Sequence, residues 1–480
     1  MALLAETKGF NSLDENGTDA VSLTSAHWSS ASPKFHMIFG YGSSADQVTT
    51  DMTSTIGFGS ATEEVAIGIS SKNAVSNTVT DRAHQTAFSA YGLNTGGGLH
   101  ESATLSSYAA NAVNLTWANS STQGLNYFLM ALGGDDFENV SIDHITTSTS
   151  TGDVSYTGPG FQPDFLICLG VAGNNLPYTS NHKACQFGIS DGTTDAGIYS
   201  VSLDGRSAAS VTFSLMSTNF IHLTAGFGAD TTRATVKSLD SSGYTLNYNL
   251  AGTATRVTII AVKGPDAKVV TTTQPTTNTT NDLDAGFVPS AGMCIGAMKT
   301  SSQTASDHNR FTIGTWTDTG GSNHMDSMGW MDEDNLSTSN VDRYISNAYS
   351  IKNYDHSQSV VGQATVAVQG NGIRETWTNT NGTQYAHSWL LLGGEPVVSA
   401  SVLQSGVPCA IRGIDTGTST GNLAISGAEY GSVVNIALNQ NTKLEISSGI
   451  QRQIDTILTI NRQLDDTLEV NRQLEFTVER

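Results

Sequence analysis

One motif occurs three times in this chain at matched offsets, and that repetition limits the available folds more than any other feature. The segments "SPKFHMIFG", "QPDFLICLG" and "VPSAGMCIG" place Pro33, Pro163 and Pro289 seven residues before Gly40, Gly170 and Gly296. About eighteen residues later, "TIGFGS", "FGISDGT" and "TIGTWTD" put Gly57, Gly188 and Gly314 in register. Each copy also closes alike, with Trp117 to Gly133, Tyr248 to Gly264 and Trp377 to Gly393 all sixteen apart. The connectors "VSIDHITTSTSTGDVSYTGPGF" and "VVTTTQPTTNTTNDLDAGF" lead into copies two and three. A copy spans roughly 105–115 residues, a normal length for one domain.

Within each copy, apolar runs of four to eight residues alternate with clusters of Gly, Asn, Ser and Thr. "FHMIFG", "VAIGIS", "YFLMALGG", "FLICLGV", "VTIIAVKG" and "SWLLLGG" read as central strands. Strands apolar on both sides need a layer on each face, so each copy is expected to be a β-sandwich. A barrel satisfies the same pattern, whereas solenoid units are shorter than this.

The rest of the composition agrees. The 480 residues include 48 Gly and only 22 Lys+Arg, which favours many short strands and turns. At 38% hydrophobic there is enough apolar matter for packed cores. A net charge of −21 argues against nucleic acid, which needs a basic footprint. The opening "MALLAETKGF" carries no secretory pattern, and no stretch approaches a membrane span in length. The four cysteines, Cys168, Cys185, Cys294 and Cys409, are too few and scattered for a disulfide framework.

Internal repetition also tests candidate chemistry. Cys168 and Cys294 stand where copy one has Ile38, which marks them as core residues rather than nucleophiles. His36 has Leu166 and Gly292 as counterparts, and His84, His100, His182, His222, His308, His324 and His387 lack metal-ligand spacing. No HExxH, GxSxG or phosphate-cradling loop occurs. Two carboxylates meeting in space would suffice for glycoside hydrolysis, but no pattern designates a pair. No catalytic centre is expected.

Copy three holds four of the six tryptophans and one unusual stretch, "TIGTWTDTGGSNHMDSMGWMDEDNLSTSN". Trp316 and Trp330 replace small or aliphatic residues of the other copies. Asp332, Glu333, Asp334 and Asn335 follow directly. Indole faces beside Asp332, Asp334 and Asn335 would suit sugar stacking and hydrogen bonding, and Asp332 with Asp334 would supply oxygen ligands for Ca²⁺. A buried tryptophan followed by a solvated acidic turn explains the same letters. The cluster lacks EF-hand spacing.

Beyond residue 396 the pattern changes. From Val434 to Arg480, fifteen of the 24 even positions are apolar, against two of the 23 odd ones. Period-two alternation means strands with one buried face. Ten-residue repeats carry Arg452, Arg462 and Arg472 in register. Leu458, Ile460, Leu464, Leu468, Val470, Leu474, Phe476 and Val478 are expected to form an assembly face, since a narrow apolar ribbon needs a second layer. The domain reading is therefore an arm over 1–30, repeats over 31–135, 136–266 and 267–396, and a C-terminal β assembly module over 397–480. The fold class is all-β, with three tandem jelly-roll-like sandwiches and an alternating β-segment.

Tandem Gly/Ser/Thr-rich β-domains ending in an alternating segment resemble structural proteins of tailed-bacteriophage virions, such as tail fibres, receptor-binding proteins and head decorations. That resemblance implies a non-enzymatic role, release by lysis into the virion, and assembly as a homotrimer with other virion proteins. Host-surface glycan is the implied ligand, with no cofactor, nucleic acid or membrane. A cellular carbohydrate-binding adhesin and a polysaccharide-degrading enzyme on a sandwich are the competing expectations.

Overall fold

The computed structural model describes residues 3–12, 16–25, 28, 31–41, 48–118, 126–224, 229–300, 306–318 and 323–393, and the backbone of five short strands between 401 and 445. It divides into two units, residues 2–395 and the segment from Pro396. Among the described residues there is no α-helix.

Each repeat contributes eleven strands. Repeat one has β1 (Leu3–Asn11), β2 (Gly17–Ser22), β3 (Pro33–Tyr41), β4 (Val48–Thr50), β5 (Met52–Ser60), β6 (Glu64–Ser71), β7 (Thr80–Gln85), β8 (Ala90–Leu93), β9 (Leu99–Ala109), β10 (Ala112–Ala118) and β11 (Asn126–Gly134). Repeat two follows with β12 (Asn139–Thr146), β13 (Gly152–Tyr156), β14 (Phe165–Gly173), β15 (Tyr178–Asn181), β16 (Lys183–Ser190), β17 (Asp195–Ser202), β18 (Thr212–Ser217), β19 (Ile221–Thr224), β20 (Asp230–Asp240), β21 (Gly243–Leu250) and β22 (Arg256–Lys263). Repeat three has β23 (Asp266–Thr273), β24 (Thr280–Asp284), β25 (Pro289–Lys299), β26 (Ser306–Asp307), β27 (Asn309–Asp318), β28 (Asn323–Asp332), β29 (Val341–Ser346), β30 (Ile351–Tyr354), β31 (Val360–Gln369), β32 (Gly372–Thr378) and β33 (Ala386–Gly393). The expected arm thus holds β1 and β2, the counterparts of the two connectors.

Every repeat is a sandwich of a seven-stranded and a four-stranded sheet, as the sequence pattern requires. The larger sheet of repeat one runs β1-β11-β3-β5-β6-β7-β15, and its last strand belongs to repeat two. Repeat two's sheet ends in β26 of repeat three, and repeat three's sheet ends in β4 of repeat one. The donation is cyclic, so the repeats close into a pseudo-threefold ring. Each donated strand covers what would be an open sheet edge.

Two-sided apolar strands explain the packing. On β14, Phe165, Ile167 and Leu169 enter one core shared by all three repeats, while Leu166 and Cys168 turn into repeat two's own sandwich. On β25, Met293 and Ile295 enter the shared core and Cys294 the sandwich of repeat three. Ile38 sits in the matching sandwich core of repeat one. The period of two sends alternate side chains to the two cores.

The register confirms the aligned glycines. Gly40 pairs with Tyr127 and Thr55, Gly170 with Val257 and Gln186, and Gly296 with His387 and Thr312. Gly57, Gly188 and Gly314 each sit where a Cβ would land on a carbonyl oxygen of the facing sheet, from Ser89, Phe220 and Ser350 respectively. Close approach of two backbones demands glycine there.

The second unit contains β34 (Ser401–Leu403), β35 (Ala410–Asp415), β36 (Asn422–Ser426), β37 (Val433–Asn435) and β38 (Lys443–Glu445). β34 pairs with β37, while β35, β36 and β38 form a second small sheet. The face from Leu458 to Val478 lies outside the described residues.

We predict that Gly314→Ala lowers stability by about 1–3 kcal/mol through overpacking against a backbone that cannot retreat. Gly296→Ala, where the nearest atom is the His387 Cβ at 3.5 Å, should cost clearly less. Urea unfolding of the two variants makes the comparison.

Candidate functional site

The stretch singled out in copy three leads to the place where the repeats interlock. After β6, β17 and β28 come three equivalent loops, and each is tied to the next repeat by the same hydrogen bonds. The amides of Ala74, Gly205 and Asn335 donate to the carbonyls of Ser339, Thr78 and Ser210. In return, the amides of Ser339, Thr78 and Ser210 donate to the carbonyls of Val75, Arg206 and Leu336. The hydroxyls of Thr78, Ser210 and Ser339 donate to the carbonyls of Leu203, Glu333 and Lys72 at 2.7–2.8 Å. Asn73, Asp204 and Asp334 complete the pattern by accepting from the amides of Val341, Thr80 and Thr212. Few side chains can reach so far, so the backbone comes to them: Ala74, Gly205 and Asn335 all have positive φ, at 54°, 69° and 60°.

Four of the five residues predicted as a ligand site belong to this joint. Asp334 accepts from the Thr212 amide at 2.7 Å, and Asn335 donates its own amide to Ser210 at 2.9 Å. Trp330 is buried and stacks on Phe311, with ring centres 4.0 Å apart and 2° between planes. Asp332 is buried and paired with the Lys183 ammonium. Trp316 lies elsewhere, buried in repeat three's sandwich with its indole N–H donating to Asn323. Neither indole offers a face to a sugar, so the stacking expectation does not hold in this structure. The Ca²⁺ expectation meets a similar obstacle. Lys183 and Ser202 both donate to Asp332 Oδ2, Asp332 Oδ1 is buried without a hydrogen-bond partner, and Asp334 caps a backbone amide.

Around the axis, the equivalent positions are Met52, Lys183 and Asn309 on one level and Ser71, Ser202 and Asp332 on the next. Only one combination is charged. The Lys183 ammonium donates to Asp332 and approaches the Met52 sulfur at 3.4 Å. From Asp332 the network continues through Ser202, which accepts from Asn309 Nδ2 at 2.9 Å. The Asn309 carbonyl accepts from Ser200 at 2.5 Å, and Ser200 accepts from the Trp330 indole at 3.1 Å. Burial pushes Lys183 below its ordinary value, with the Asp332 carboxylate opposing. A cavity of about 10 Å³ beside this pair is lined by Ser71, Thr80, Ser202, Thr212 and Asp332, which is room for about one water.

Two other polar constellations were not legible in the sequence. His222 Nδ1 lies 2.8 Å from the Ser217 hydroxyl and its Nε2 lies 2.9 Å from Asp230. The order is that of a hydrolytic relay, but Ser217 is buried and its oxygen already accepts two bonds from Asn219. That arrangement fixes a turn; it does not present a nucleophile. A cleft of about 310 Å³ between repeats one and two is lined by Glu63, Glu64, Thr86 and His144. Both acids have structural tasks, and Glu63 accepts from the Ile142 amide at 2.9 Å. Glu64 accepts from the Leu105 amide at 2.7 Å, as its counterpart Asp195 accepts from Val236 at 2.9 Å. Among the described residues, no group of three or more His, Cys, Asp or Glu is placed to share a metal ion. The thiols of Cys168, Cys185 and Cys294 are buried and pushed up by that burial, so they remain protonated.

Comparison with protein-family profiles, characterised proteins and solved structures found no match for this chain.

Removing Lys183 while keeping Asp332 leaves a buried carboxylate without its partner. Lys183→Met should therefore destabilise by about 3–5 kcal/mol, and adding Asp332→Asn should recover much of that loss. Urea unfolding of both single variants and the double variant completes the cycle.

Repeat one buries a different acid. Burial pushes Glu101 up to about 7 despite hydrogen bonds from Tyr127 and Ser12. A raised folded-state value means the stabilising contribution is complete below the unfolded value, near 4.5, and is lost as pH rises through about 7. Glu101→Gln should thus raise the unfolding midpoint at pH 8 and leave it nearly unchanged at pH 4. A pH series of thermal melts tests this.

Proposed function

We propose that this chain is a structural component of a tailed-phage virion, an appendage or decoration protein whose task is mechanical. The observation that carries the reading is the closed ring of mutually donated strands. Each repeat completes its neighbour's sheet, and all three share one core. Such a body resists deformation because opening any seam exposes a sheet edge and part of the shared core. Several titratable groups of its interior, Glu64, Asp195 and the Lys183–Asp332 pair among them, tie sheets or repeats together. Its described surface is polar, with Val288 the single large exposed hydrophobic at 44%.

The alternating C-terminal sequence supports attachment. Its apolar face needs a partner layer. In this reading, the partner layer is supplied by another chain of the particle. Glycan recognition forms no part of the proposal, since the tryptophan faces that suggested it are buried.

Antibodies raised against residues 2–395, applied to particles purified from lysates of the source, supply the test. Labelling at a defined place on head or tail supports the reading. Finding the protein only free in the lysate or anchored to cells would overturn it.

A further inference from the structure

The three seams of the ring share a backbone but not a chemistry. At each, the first strand of one repeat lies against the inner sheet of the preceding one. Ile142 of repeat two meets repeat one, Val269 of repeat three meets repeat two, and Thr7 of repeat one meets repeat three. All three amides are held by the neighbour: Ile142 by Glu63 at 2.9 Å, Val269 by Asp191 at 2.9 Å, and Thr7 by Thr317 at 3.0 Å.

The side chains differ. Opposite Ile142, the neighbour's positions are Phe58 and Val65. Opposite Val269, the equivalents are Ile189 and Ala196. All six belong to the shared core. Opposite Thr7, the same positions are Thr315 and Asp326, all buried. The Thr7 hydroxyl donates to Asp326 at 3.0 Å and lies 2.8 Å from the Thr315 hydroxyl. A contact that is dispersive and apolar at two seams is polar at the third.

Covalent continuity singles out the same seam. Residues 135–138 cross from repeat one to repeat two, and the chain passes directly from β22 to β23 between repeats two and three. The chain runs through the repeats in the order one, two, three, so no inter-repeat linker joins repeat three to repeat one. Besides the core shared by all three repeats, closure there rests on the Thr7 cluster, the pairing of β4 with β29, and the loop bonds of Ala74, Ser339 and Val341. A four-residue tether keeps an opened seam nearly closed, whereas an untethered one gains the full freedom of its ends.

We propose that the seam between repeats three and one is a reversible joint, and that a second copy of this chain can take the place of the chain's own repeat one. The second copy is the occupant because the joint is self-complementary in its parts. Repeat one carries the β4 strand and the Thr7 hydroxyl, and repeat three carries the β29 edge and the Asp326 carboxylate. Exchange of identical elements between copies adds no new contact. A foreign apolar surface would leave Asp326 buried against carbon, which the polar seam penalises. Within one chain the high effective concentration favours the closed ring, so exchange grows with protein concentration.

Native-state hydrogen exchange on the full chain tests the joint first. The amides of Thr7, Ala74, Ser339 and Val341 should exchange at least about tenfold faster than those of Ile142, Gly205, Thr78 and Thr80 at the tethered seam, a difference of about 1.4 kcal/mol. Mixing two fluorescently labelled populations at high concentration should then yield mixed dimers, with cross-links between β4 of one copy and β29 of the other. The triple variant Thr7→Ile, Thr315→Ile, Asp326→Ala, which copies repeat two's chemistry, should slow the seam amides and reduce dimer yield at least several-fold. Equal exchange at the three seams overturns the joint, whether or not the variant folds. Dimers cross-linked anywhere else overturn the exchange.

Discussion

The constraint on which the rest of the structure depends is that each seven-stranded sheet is apolar on both faces. One face is covered by the repeat's own four-stranded sheet. The other has no cover within the repeat, and three such faces satisfy one another around an axis. Burial at about 25 cal/mol per Å² makes leaving that face open prohibitive for any repeat alone. The ring is therefore a consequence of strand chemistry, and the strand donations are its edge treatment. Once three sheets surround a common core, their outermost edges approach the neighbouring repeat and pair with its loop.

Sequence periodicity revealed the strands, the repeat and the interchange of Cys168 and Cys294 with Ile38, because burial on two faces leaves a mark in the letters. It did not reveal the closure. The donated segments read "VTT", "YTSN" and "SD", short polar stretches that become strands only because a neighbour presents an edge. Residues 3–22 were read as an arm for a similar reason. Their counterparts stand out as connectors between two copies of the repeat, a setting that residues 3–22 do not share. The tryptophans show the opposite limit. Trp330 beside Asp332 and Asp334 has the letters of an exposed recognition turn, yet Trp330 and Asp332 are buried and Asp334 caps the Thr212 amide. Residue types alone do not say whether a partner is a ligand or another part of the chain.

The polar residues that seemed functional are mostly symmetry-breaking. The bonds that repeat three times are made by backbone groups and small hydroxyls, which any copy can supply. Among the bonds that occur at one seam only are those of Lys183 with Asp332 and of Thr7 with Asp326. They make each seam chemically distinct, so that three similar surfaces are not interchangeable. A buried ion pair contributes little net stability compared with apolar packing, but it penalises the arrangement in which one partner is missing.

That penalty also says something about why the repeats share one chain. In a ring of three identical subunits, every axial position would be occupied three times by the same residue. A lysine at the position of Lys183 would then recur at the places of Met52 and Asn309, and Lys183 already reaches the Met52 sulfur at 3.4 Å. Two ammonium groups about 4 Å apart repel by about 4 kcal/mol at the effective dielectric of a protein surface, and three such pairs would have to be accommodated. Linking the repeats removes the problem, because a single lysine can face a single aspartate while the third position stays neutral. The single Lys183–Asp332 pair is thus a feature that three non-identical repeats can hold and three identical subunits cannot, and it binds repeat two to repeat three beside the methionine of repeat one. The polar seam at Thr7 is of the same kind: a substitution at one joint of three, available only because each repeat is encoded separately.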